Sequence, residues 1–74
     1  MEFRWVDGYE IKVSVCEDGS VLISANREGL LSLAGHFTAL AEEKCGAHFH
    51  LDEYNSLEEG SAELVVELAE SRRE

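Results

Sequence analysis

His48 and His50 flank a single residue, Phe49, and in an extended strand residues i and i+2 project from the same face, so their imidazoles stand side by side. A pair at that spacing can chelate Zn²⁺ or a similar ion once a third ligand joins it, and Glu63, Glu67 and Cys16 are the side chains a folded sheet could bring across. The chain has no CxxC, no HExxH and no third histidine next to the pair. The same residues therefore also fit a solvated sheet face where histidines meet glutamates in a pH-sensitive way. No metal or other cofactor is expected, and a metal-binding or metal-dependent domain built on His48 and His50 stands as the alternative. Nucleophilic catalysis would need Cys16 held against one of these histidines, but a thiol at the end of a strand has no helix N-terminus to activate it. The carboxylate pairs Glu42-Glu43 and Glu58-Glu59 are sequence neighbours with no apolar pocket to shift them, so an enzyme is not expected. His36 lies beside an apolar stripe and reads as a residue at the boundary of a core.

The chemistry that remains is recognition. Asp52, Glu53, Glu58 and Glu59 surround Tyr54, Asn55 and Leu57, which puts an amphipathic aromatic and an apolar anchor inside a negative field. With His48 and His50 these seven residues form the expected contact surface, and a basic protein such as a toxin domain is the expected partner. The whole chain carries 6 Lys and Arg against 16 Asp and Glu, a formal net charge of −10. Nucleic-acid binding, which draws its affinity from cations on phosphates, is thereby excluded as a primary role. The acids form no long regular stripe, which ranks mimicry of nucleic acid last. The N-terminus lacks a basic and apolar export signal, and no apolar run approaches a membrane span, so a cytoplasmic protein is expected. Cys16 and Cys45 are then expected as reduced, partly buried thiols.

These residues need a scaffold, and 74 residues allow one domain with one small core. Tyr9, Ile11, Val13 and Val15 alternate with Glu10, Lys12, Ser14 and Cys16, predicting a strand that extends back through Phe3, Trp5 and Val6. Glu17-Asp18-Gly19-Ser20 turns it into a second strand, Val21 to Ala25. Asn26 is a good N-cap for a helix with Leu30, Leu33, Ala34, Phe37, Leu40 and Ala41 on one stripe, Gly35 approaching the sheet, and Gly46 as terminator. Phe49 and Leu51, then Leu64, Val66 and Leu68, alternate as two further strands. The predicted fold class is α+β: a β-β-α-β-β domain over residues 1–70 and a frayed tail at 71–74. Its four-stranded antiparallel sheet carries one helix across one face. Ile11, Val13, Val15, Phe49, Leu51, Leu64, Val66 and Leu68 lie beneath the helix, and Lys12, Ser14, Cys16, His48, His50, Glu63 and Glu67 form the open face. So small a core leaves room for a homodimer through the open face or an edge strand.

Three stretches carry a resemblance: Asn26-Arg27-Glu28-Gly29-Leu30-Leu31-Ser32-Leu33-Ala34, His48-Phe49-His50-Leu51-Asp52, and Leu57-Glu58-Glu59-Gly60-Ser61-Ala62-Glu63-Leu64-Val65-Val66. In this order they resemble the immunity protein 32 family of bacterial polymorphic-toxin loci, over about two thirds of the chain. Asn26, His48, His50, Asp52, Gly60 and Ser61 are the positions that carry the match. The resemblance implies a small cytoplasmic protein that binds and neutralises a cognate toxin without catalysis, with the histidines and Asp52 as its contact candidates.

Overall fold

The computed structural model describes residues 2–70, and the expected tail at 71–74 lies outside them. The element order is β1 (Ile11–Val15), β2 (Val21–Ala25), α1 (Arg27–Ala41), β3 (His48–Leu51) and β4 (Leu64–Glu67). Both hairpins form as the alternation predicts: β1 pairs antiparallel with β2, placing Val13 opposite Ile23, and β3 pairs antiparallel with β4, placing Phe49 opposite Val66. In the first turn Asp18 accepts hydrogen bonds from the Ser20 amide at 2.9 Å and the Ser20 hydroxyl at 2.7 Å, and Gly19 takes φ +91°.

The expected four-stranded antiparallel sheet is not formed; there are two separate two-stranded sheets. What joins them is the chain just before β4. The Glu58 amide donates to the Ile11 carbonyl at 2.9 Å, the Ala62 amide donates to the Val13 carbonyl at 2.8 Å, and the Val13 amide donates to the Ser61 hydroxyl at 3.1 Å. Both partners ascend together along β1, so this seam runs in a parallel sense. Two residues of β1 are matched by four of its neighbour, with Gly60 at φ +87° in the excess, and a regular ladder cannot form over that mismatch.

The core unites both sheets and the helix: Ile11, Val13, Leu33, Leu40, Phe49, Leu51 and Leu57 are buried, while Leu64, Val66 and Leu68 are half-buried against them. Val15, expected in this core, is 64% exposed, and its register partner Val21 is 59% exposed. Both sit at the far end of the hairpin. The helix begins at the opposite end, directly after β2, and covers Ile11 and Ala25 first.

The helix is turned relative to expectation. Its buried residues are Gly29, Ser32, Leu33, His36 and Leu40, whereas Leu30, Ala34, Phe37 and Ala41 of the predicted stripe are exposed. Gly29, not Gly35, makes the close approach. A Cβ at Gly29 would lie 2.5 Å from the Glu10 carbonyl oxygen, and one at Gly35 would meet nothing within 4 Å. The strand does not extend through Phe3, Trp5 and Val6 either. Gly8 turns the chain at φ +84°, and the first segment folds back on α1, where the Val6 amide donates to the Ser32 hydroxyl at 2.8 Å. Trp5 then stacks on Tyr9, ring centroids 4.4 Å apart.

Helix boundaries follow from capping. The Asn26 carboxamide oxygen accepts from the Gly29 amide at 2.7 Å and the Glu10 amide at 3.0 Å, and its nitrogen donates to the Gly8 carbonyl at 2.9 Å. One side chain thus ties the helix start to the residue that leads into β1 and to the preceding turn. Asn26→Ala is expected to cost about 2 kcal/mol, the upper part of the N-cap range, because more than a cap is lost. Asn26→Asp, which keeps both acceptor contacts, should lose less; urea unfolding of the two variants checks the order. At the other end α1 stops at Ala41, where Glu42 and Glu43 donate their amides three residues back, to Ala39 and Leu40. Two carboxylates at the negative end of a helix dipole disfavour its continuation. Gly46 is consequently not the helix terminator: at φ +94° it turns the chain into β3, and its amide donates to the Leu68 carbonyl at 2.9 Å.

Candidate functional site

The period of two that builds β3 puts Phe49 and Leu51 inward and leaves His48 and His50 exposed together. Their rings stand 5.1 Å apart, edge to face. Glu67 lies opposite His48 in the register, and Glu63 reaches His50, Nδ1 to Oε2 2.8 Å, with both side chains half exposed. His48 places its Nδ1 3.2 Å from the Gly46 carbonyl. Among the described residues no group of three or more His, Cys, Asp or Glu is arranged to hold a metal ion. Cys16, one of the expected third ligands, belongs to the other hairpin. Both cysteines are free and exposed, not partly buried. The His48/His50 face is a solvated pair of imidazoles beside carboxylates. A pair at this exposure adds little to stability.

The loop after β3 is ordered by its own polar side chains. Asp52 Oδ1 accepts the amides of Tyr54 at 2.9 Å and Asn55 at 3.1 Å, while its carbonyl accepts those of Ser56 and Leu57. Asn55 returns the favour: its Oδ1 accepts the Asp52 amide at 3.0 Å and its Nδ2 donates to the His50 carbonyl at 3.3 Å. Glu53 accepts the Gly60 amide at 2.9 Å, closing the far side of the loop onto its near side. An Asx turn of this kind fixes the backbone with short side chains.

Tyr54 is set out by that framework, 89% exposed. Glu58 and Glu59 are exposed as well, and Asp52 and Glu53 are half-buried. Leu57, expected among the contact residues, is instead 5% exposed and belongs to the core. The loop needs an apolar anchor under it, and Leu57 supplies one just before the Glu58 amide bonds to β1. The structure thus brings His48, His50, Asp52 and Asn55 together around β3 and the turn that follows, the last two as internal braces, with Tyr54 and the glutamates facing outward.

His36, expected at the boundary of the core, lies fully inside it at 0% exposure among Phe3, Trp5 and Phe49, ring centroids 4.6, 4.3 and 6.0 Å away. Neither ring nitrogen has a hydrogen-bond partner, and burial pushes the imidazole pKa down from its ordinary value. The signal available was its i, i+4 relation to Ser32 and Leu40. No helix among the described residues is long and apolar enough to cross a membrane.

In a comparison with protein families, the model described as Immunity protein 32 matches residues 20–69, more than half of the chain. No curated protein and no solved structure matches.

Proposed function

We propose that this chain, which belongs to the immunity protein 32 family, binds a cognate toxin protein in the cytoplasm of the cell that makes both, and neutralises it by occupancy without catalysis. The family match carries this reading. The loop after β3 supports it with a contact surface of suitable chemistry. Tyr54 is a large amphipathic side chain 89% exposed on a backbone braced by Asp52, Asn55 and Glu53. Holding an aromatic anchor in place before binding reduces the ordering cost of association. Glu58 and Glu59 flank it, and a chain of net charge −10 attracts a basic partner over several ångströms before contact. His48 and His50, on the strand leading into the loop, extend the same surface.

The test is titration calorimetry of the chain against the toxin domain encoded in the same locus. One-to-one binding is expected, and Tyr54→Ala should weaken it by about 30-fold, the ~2 kcal/mol of an aromatic hot spot. The double variant Glu58→Lys with Glu59→Lys should chiefly slow association and flatten its salt dependence. Absence of any complex with that domain would overturn the reading. A complex indifferent to all three positions would move the contact surface away from this loop.

A further inference from the structure

We propose that the outward face of α1 is a self-association surface, on which a second copy of this chain docks antiparallel, helix against helix. From Gly29 to Ala41 the helix carries no charged side chain, although 30% of the chain's residues are charged. Leu30, Leu31 and Phe37 are 55%, 48% and 43% exposed on it, with Ala34, Thr38 and Ala41 exposed between them. Alongside runs a shallow groove of about 460 Å³, floored by Ala34, Gly35, Thr38 and Ala39 and bounded by Glu2, Arg4 and Glu42. A helix that serves only its own core normally shows charged residues to water, so the solvent face of α1 has the composition of a contact.

Charge identifies the occupant. Each copy carries −10, so most ways of bringing two copies together set acid against acid. The helix is the exception: from Arg27 to Lys44 there are two cations and three acids, a local net charge of −1. Arg27 is exposed in the first turn and Glu42 is exposed at the C-cap, opposite signs at opposite ends of one helix. Antiparallel packing about a two-fold axis sets each Arg27 near the other copy's Glu42, and so makes the favourable pair twice. It also opposes the helix dipoles, whereas parallel packing would align like ends. Ala34 and Thr38 let the axes approach to the usual ~8–10 Å, with Leu30, Leu31 and Phe37 as the flanking apolar contacts. A strongly basic partner finds no comparable negative field here and is drawn to the acids elsewhere on the chain.

Sedimentation equilibrium of the purified chain tests this. A dimer with a dissociation constant on the order of micromolar is expected. Thr38→Arg, and separately Leu30→Glu with Leu31→Glu, should raise that constant at least ~100-fold with unchanged far-UV circular dichroism. Phe37 is left in place because its ring also stacks on the buried Phe49, centroids 6.3 Å apart. Thr38 is exposed and its hydroxyl donates only within the helix, to the Ala34 carbonyl at 2.9 Å, so its replacement leaves the core intact. Arg27→Glu should weaken the dimer, and adding Glu42→Arg should restore it, which a structural role for either residue would not do. A wild-type chain that stays monomeric overturns the proposal. So does a dimer that survives these substitutions, since its contact would then lie elsewhere, as at the outer edge of β2.

Discussion

Gly29→Ala is expected to destabilise the fold by about 2 kcal/mol while Gly35→Ala stabilises it by up to ~1 kcal/mol, although both glycines belong to the same helix, Gly29 in its first turn and Gly35 at its middle. In an exposed helix the exchange of Gly for Ala is worth about 1 kcal/mol, and at Gly35 nothing within 4 Å opposes the added carbon. At Gly29 the new Cβ would stand 2.5 Å from the Glu10 carbonyl oxygen, 2.9 Å from Ile11 Cγ1 and 3.0 Å from Ala25 Cβ. That oxygen cannot retreat freely, because it accepts the Asn26 amide at 3.1 Å where β2 passes into α1. Overpacking costs about 1–3 kcal/mol, and a backbone obstacle places this case at the upper end before the helix gain is subtracted. For a domain of this size each kcal/mol is roughly 4–8 °C, so thermal melts should move the two variants in opposite directions, Gly29→Ala down by roughly 10 °C. A common direction would mean that helix propensity, not the fit of α1 against β1, governs both positions.

The two glycines also show where sequence reading stops. A helical glycine announces a reason for lacking a side chain, but not which of two positions has it. Periodicity was equally indifferent at the helix: its apolar arc is wider than its buried face, so the stripe through Leu30, Ala34, Phe37 and Ala41 competes with the one through Leu33 and Leu40. The choice was made by groups with no hydrophobic signature, Gly29 by its fit against β1 and Ser32 by its bond to the Val6 amide. Strand alternation was more informative, because a period of two admits just two faces. It placed His48 and His50 together and brought Glu63 to the same side. The seam along β1 was illegible because it depends on backbone groups 45 and more positions apart, and on Leu57, a lone apolar residue in a loop with no period to mark it.

His36→Leu is expected to raise stability at neutral pH by about 1 kcal/mol and to remove a loss of stability on acidification. Leucine is close to histidine in volume, and the imidazole is fully buried with no partner for either nitrogen. An unsatisfied buried polar group costs about 1–3 kcal/mol, from which the ring contacts to Phe3 and Trp5 must be deducted. The pH dependence has a definite sign. The unfolded chain takes up a proton near the ordinary value of 6.5, while the folded chain, with the pKa lowered by burial, resists it. Between the two values the unfolded state binds more protons, so stability increases with pH. The contribution is complete above about pH 6.5 and is lost progressively as the pH falls below it. Desolvation by burial is the cause of the shift, and the rings packed on His36 among the described residues are those of Phe3, Trp5 and Phe49. Urea unfolding at a series of pH values from neutral to mildly acidic should give a rising slope for the native chain and a flatter one for the variant. If the slopes coincide, the acid sensitivity of the fold resides in its carboxylates and the buried imidazole is silent.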